Sequence, residues 1–266
     1  MSESYIFVQL MGGMGNQLFQ YAAGMLQSKT TNGTLYLCKA KQNNHSKKDY
    51  RDILMNKGKK YDDSLPPHIS FYQEDAYKPW NPSEYKYPTL YMYGYFQNYP
   101  SLKPILNDFK QNILSQIEYQ RNIVKKQYNI KEGDVFIHVR RGDYLNIGNS
   151  SIHHVQSLDY YDKAIDMLKK NVDIKRWFIF SDDMKWCKGQ DLFKQLQPIF
   201  IEEPDEVYTL AIMSEITTGA IIANSSFSWM GALLGVGTNK KNGVIYPKKW
   251  YKNTTPNLFP TTWIGI

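Results

Sequence analysis

The chain has 266 residues, 42% hydrophobic and 21% charged, which suits one large folded domain or two modest ones and excludes a disordered chain. A mean hydropathy of −0.53 and the lack of any apolar run of about 18 residues argue against a membrane-spanning helix. The net charge of +7 points to an anionic partner without naming it.

A strand over Tyr5–Leu10 opens the chain, and the glycine loop Gly12-Gly13-Met14-Gly15 follows it. Next comes a helix, because Leu18, Phe19, Ala22, Met25 and Leu26 recur at helical spacing. Leu35–Cys38 reads as a second strand. From Lys39 to Pro88 the chain is polar, rich in tyrosine and broken by Pro66-Pro67, Pro79 and Pro82, which predicts long loops with short helices. Leu90–Phe96 reads as a strand and Leu102–Tyr128 as mostly helix. Beyond Asp134 the pattern becomes regular: strand 135–139, a polar loop over 144–157, a helix near 158–170 and strand Trp177–Phe180. A helix near 184–195, strand Ile199–Ile201, a helix over 205–215, strand Ala220–Ala223, a helix over 226–234 and a last short strand, Val244–Tyr246, complete it. Strands alternating with helices predict parallel, doubly wound sheets, in two α/β halves that meet near 120–133.

Four polar segments stand at predicted strand ends, where open α/β sheets bind ligands. Gly12-Gly13-Met14-Gly15-Asn16 permits close backbone approach at a helix start, but lacks the dinucleotide spacing, and a tight turn capped by Asn16 explains it equally. His138-Val139-Arg140-Arg141-Gly142-Asp143-Tyr144 follows the apolar run Val135-Phe136-Ile137. Its arginines suit a phosphate or carboxylate, or a structural salt bridge from Arg141 to Asp143 or to a distant acid. Ser181-Asp182-Asp183 offers acceptors for guanine or sugar hydroxyls, with Asp183 placed to cap the next helix. Asn224-Ser225-Ser226 offers donors to phosphate oxygens, or caps. His153-His154 reads as a bland loop pair. There is no metal-type spacing, serine elbow or P-loop.

The basic residues lie in short clusters, Lys47-Lys48, Lys57–Lys60, Lys125-Lys126, Lys240-Lys241 and Lys248-Lys249, without any nucleic-acid module. They suit solvated surface first and loose attraction to an anionic membrane second. Cys38 and Cys187, far apart, suggest a reducing compartment, and Met1-Ser2-Glu3-Ser4 is no basic leader, so a cytoplasmic protein is expected.

These segments, together with Gly94-Tyr95-Phe96-Gln97, Asp205–Met213 and the continuation Phe227-Ser228-Trp229-Met230-Gly231-Ala232, resemble in order the α-1,2-fucosyltransferases of glycosyltransferase family 11. Met230 departs from the family, which usually has a second Trp there. The resemblance implies a GT-B-like α/β fold, two Rossmann-like halves facing a central cleft, with an acceptor-side domain over 1–125 and a nucleotide-sugar domain over 126–266. It further implies GDP-fucose as donor, a galactose-terminated glycan as acceptor, inversion at the anomeric carbon, and neither metal nor other cofactor. On this reading Arg140 holds the β-phosphate, and His138 supports the same phosphate or orients the arginine. Asp182 reads guanine, and Asn224, Ser225 and Ser226 hold phosphates. Gly13, Gly15 and Asn16 line the cleft, and Asp143 stands as catalytic base or as a partner of Arg141.

Overall fold

A computed structural model describes residues 3–40, 48–75, 80–145, 154–251 and 257–266. The chain divides into two compact units, Met1–Ile117 and Glu118–Ile266.

In the first unit, β1 (Tyr5–Gln9), α1 (Met14–Thr31) and β2 (Thr34–Cys38) are followed by α2 (Arg51–Leu54), β3 (Lys59–Tyr61) and β4 (Ser70–Gln73). Then come β5 (Thr89–Tyr93), α3 (Tyr99–Leu102) and α4 (Leu106–Gln116). The sheet is parallel throughout, in the order β3-β2-β1-β5-β4. Ile6, Val8, Leu35, Leu37, Leu90 and Met92 are buried along alternate positions of its three central strands. Gly24 lets α1 lie close on this face, since a Cβ there would meet Val8 and Leu35 at 2.8 Å. The region 39–88 thus holds two strands where loops and short helices are predicted. Both are edge strands, three or four residues long, and β3 carries exposed Lys59 and Lys60, so neither leaves an apolar run in the sequence. β5 ends at Tyr93 rather than Phe96, because Phe96 takes a left-handed conformation at φ 53°.

The second unit begins with α5 (Glu118–Tyr128), then β6 (Asp134–Val139), α6 (Leu158–Asn171), β7 (Arg176–Ser181), α7 (Met184–Gly189) and α8 (Asp191–Lys194). β8 (Ile199–Ile201), α9 (Glu206–Glu215), β9 (Gly219–Ile221), α10 (Ser226–Leu234), β10 (Val244–Tyr246) and β11 (Ile264–Gly265) complete it. The second parallel sheet has the order β11-β10-β9-β6-β7-β8. Val135, Ile137 and Val139 pack with Tyr161, Ile165 and Leu168 of α6 on one face. On the other, Phe178 meets Tyr128 of α5 and His138 meets Phe227 of α10. Burial on both faces is what makes these strands read as apolar runs. β11 lies beyond the predicted last strand. At two residues it has no period to detect.

The compact units divide at 117/118, where the sequence reading places the domain boundary at 125/126. α5 belongs to the second unit, where Val124 is buried and Arg121 and Lys125 reach Glu215 of α9 at 2.6 and 3.2 Å. Of the segments discussed above, Met1-Ser2, Lys47, Pro79 and the part of the predicted loop over 146–153, with His153, lie outside the described residues.

Candidate active site

Each sheet reverses its winding direction once. In the first, the chain steps outward from β1 to β2 and β3, then returns on the far side of β1 with β5 beside it. In the second, it steps from β6 to β7 and β8, then returns with β9 beside β6. Crossovers on opposite sides leave a crevice at the carboxyl ends of the two strands flanking each reversal. The glycine loop and Gly94–Gln97 follow β1 and β5. The arginine segment and Asn224–Ser226 follow β6 and β9, and Ser181–Asp183 follows the adjacent β7.

At the second reversal, Arg140 is held through one nitrogen. Its Nε lies 2.8 Å from Asp143 Oδ1 and 3.1 Å from Asp182 Oδ2. Among the described residues neither terminal amino group of Arg140 has a hydrogen-bond acceptor, so the fork is fixed at its base and open at its tips. Burial opposes the charge of Arg140, but Asp182 and Asp143 more than offset it and raise the pKa. Asp182 Oδ1 also accepts from Arg141 N at 2.9 Å. Gly142 completes the fit, since a Cβ there would lie 3.0 Å from Asp182 Oδ2. Both predicted acids therefore serve the arginine: Asp143 pairs with Arg140, not Arg141. Arg141 turns away, its guanidinium 4.0 Å over the Trp186 ring and its Nε 3.4 Å from Asp183. Asp183 also caps α7, accepting from Trp186 N. The salt-bridge reading thus describes Arg141, though with Asp183 as partner.

His138 is 5% exposed, and its Nδ1 has no partner among the described residues. Burial, aided by Arg140, pushes its pKa down to about 3, so the ring is neutral at physiological pH. Asn224 spends its side-chain donors on the carbonyls of His154 and Trp250, at 2.8 and 2.9 Å, and its buried Oδ1 has no partner among the described residues. Its amide thus binds loops together. Ser225 sits at the N-cap of α10 without a side-chain capping bond, and Ser226 opens the helix. The sequence reading missed the tie between these loops. The buried Tyr144 donates its hydroxyl to Asn224 O at 2.8 Å, and its ring lies 5.7 Å from the Arg140 guanidinium. An aromatic beside the arginine turn was the available signal.

At the first reversal, Gly12 has φ 70°, a conformation glycine adopts without strain. Gly13 is the N-cap of α1 and Gly15 is buried in its first turn. Asn16 is therefore inside the helix and does not cap it. Gln17 and Gln20, both buried on α1, brace the loop. Gln17 donates to Gly12 O at 2.9 Å. Gln20 accepts from Met11 N at 2.8 Å and donates to Gly94 O at 3.0 Å. Gln97 Nε2 donates to Asn16 Oδ1 at 2.8 Å.

The structure gathers Arg140, Asp143, Asp182 and Asn224 at one reversal, with His138, Ser225 and Ser226 in the same strand-end segments. Gly13, Gly15 and Asn16 stand at the other. Two parallel α/β units whose polar segments sit at the winding reversals define a GT-B-like fold. The comparisons agree with this. The fucosyltransferase NodZ from Bradyrhizobium superposes with a TM-score of 0.54 at 12% identity, over 88% of this chain and 94% of that one. POFUT1 in complex with GDP-fucose gives 0.53 at 13% identity, over 92% and 98%. An α-1,2-colitosyltransferase of Escherichia coli is 28% identical, over 99% of each chain. The Escherichia coli O-antigen biosynthesis glycosyltransferase WbnK is 27% identical, over 97% of this chain and 99% of its own. The model of glycosyl transferase family 11 matches residues 2–266, and the chain belongs to that family.

Proposed function

We propose that the protein transfers L-fucose from GDP-fucose to the 2-hydroxyl of a terminal β-galactoside, with inversion and without a metal ion. The observation that carries this reading is Arg140, restrained at Nε and, among the described residues, without an acceptor at either terminal amino group. A planar fork of this kind suits bidentate contact with a diphosphate. The family supports a sugar nucleotide, and the solved fucosyltransferases support its identity.

The C1–O bond to GDP breaks as the galactoside 2-oxygen attacks from the opposite face. Arg140 takes the charge growing on the β-phosphate, and the first-turn N–H groups of α10, beside Ser225 and Ser226, add to it. His138, neutral, contributes a hydrogen bond to the same phosphate. Asp143 is paired with Arg140 and acts by positioning it, so the hydroxyl proton passes to water on the acceptor face. Asp182 likewise orients Arg140, which sets its predicted guanine contact second. Gly13, Gly15 and Asn16 address the sugar. The colitosyltransferase favours one second reading, a donor carrying another deoxysugar. The basic clusters suit weak adsorption to anionic membranes. Reduced liposome co-sedimentation at high salt is expected.

The test is incubation with GDP-fucose, GDP-mannose and GDP-colitose against a panel of β-galactosides, in EDTA, with the product linkage read by NMR. Transfer of fucose to O2 is expected. Transfer only from another donor, or activity that EDTA abolishes and Mg²⁺ restores, overturns the corresponding part. Arg140→Lys keeps the charge but loses the fork, and kcat should fall roughly ten- to hundred-fold. A near-normal rate would refute the bidentate role.

A further inference from the structure

The segment Gly94-Tyr95-Phe96-Gln97 is held at several points. Glu74, just past β4, is half-buried, and its Oε2 accepts from Tyr95 N at 2.6 Å and Phe96 N at 2.7 Å. A Cβ on Gly94 would lie 2.3 Å from Glu74 Cβ. Phe96, in its left-handed conformation, buries its ring against Trp80 and Tyr72, with ring centres 5.5 and 6.1 Å away. A non-glycine residue in that region persists only where its surroundings enforce it, and such sites cluster at ligand clamps. The next residue is Gln97. Its Nε2 donates to Asn16 Oδ1.

That bond fixes which way round the Asn16 amide sits. With Oδ1 occupied, Nδ2 lies over Gly12, where a Cβ would approach it to 2.6 Å, and it has no acceptor among the described residues. No charged residue occurs in 11–17 or 94–97, and Glu74 Oε2 is taken up by two loop amides. An amide donor on a rigid, uncharged strand end recognises a neutral oxygen better than a phosphate, which cations and helix N-termini recognise.

We propose that Gln97 is a positioning residue that turns the Asn16 Nδ2 outward, and that this pair forms a site for the oxygens of a neutral sugar. The inference rests on the reading of the chain as a sugar transferase. Both the transferred sugar and the acceptor sugar have this chemistry.

The test sets three side chains at 97 against each other. Gln97→Lys keeps a donor toward Asn16 Oδ1, Gln97→Met releases the amide, and Gln97→Glu inverts it. Transfer efficiency should fall in the order Lys, Met, Glu, with Gln97→Glu at least about tenfold below the parent, the scale of one lost hydrogen bond. Direct attraction of a cationic sugar centre by the new charge predicts the reverse order. A role confined to packing predicts no dependence on donor character. Either pattern overturns the proposal. Thermal midpoints identify misfolded variants, and Asn16→Ala combined with Gln97→Glu should be no worse than the worse single change. Binding is read separately, from the ¹⁵N side-chain resonance of Asn16 in the intact wild-type chain. Methyl β-galactopyranoside shifting it places the acceptor sugar there. GDP-fucose shifting it beyond GDP alone places the donor sugar there. No shift with either overturns the proposal even if no transfer is found. If only another GDP-sugar turns over, the donor assignment fails, and the three variants are compared with that donor.

Discussion

At the scale of single residues, His138 illustrates what burial does to a titrating group. Its pKa near 3 in the folded chain, against about 6.5 when unfolded, means the unfolded state takes up the proton first as pH falls. The stabilising contribution is fully present above about pH 6.5 and is lost progressively toward pH 3, at up to ~1.4 kcal/mol per pH unit. His138→Gln should therefore show a flatter fall in thermal midpoint between pH 7.5 and 5 than the parent. Parallel curves would refute the assignment. The residues themselves were legible in the sequence, because His138, Arg140, Asp182 and Asn224 sit where strands end. Their division of labour was not. Nothing in Asp143 or Asp182 announces that both approach one arginine nitrogen, since that pairing joins the ends of β6 and β7. Nor does Asn224 announce that its donors go to backbone carbonyls.

At the scale of elements, strands buried on both faces and helices with a clear apolar stripe were readable, as β6, β7 and α6 show. β3, β4 and β11 were not, being short strands outside the apolar centres of their sheets. Glycine contacts report how closely elements pack. A Cβ on Gly235, at the end of α10, would lie 2.4 Å from Ile216 O and 2.5 Å from Met213 O, both backbone atoms at the end of α9. On Gly231 it would meet Met213 Sδ at 2.5 Å, the far end of a flexible side chain. Gly235→Ala should therefore cost about 1–3 kcal/mol, the scale of overpacking, and Gly231→Ala less. Differential scanning fluorimetry measures the ranking, and equal midpoints for the two would contradict it.

At the scale of the whole molecule, the chain is two units in succession, and the placement of α5 is testable. A fragment of residues 118–266 keeps Arg121 and Lys125 beside Glu215, whose side chain is 6% exposed. A fragment of residues 126–266 leaves that carboxylate uncompensated, which is destabilising. The longer fragment should melt several degrees higher, and equal midpoints would move the boundary back. The reversal at β6 carries a different consequence, for how the chain is made. β6 is the first strand of its sheet to emerge during synthesis, yet it lies at the sheet's interior between β7 and β9. At ~5–20 residues per second, one side of β6 waits seconds for a partner, longer than local structure takes to form. Its unpaired backbone is then a template for another nascent chain. The crossover that opens the crevice beside β6 is therefore also where misassembly would begin, and slower, cooler expression should favour soluble protein.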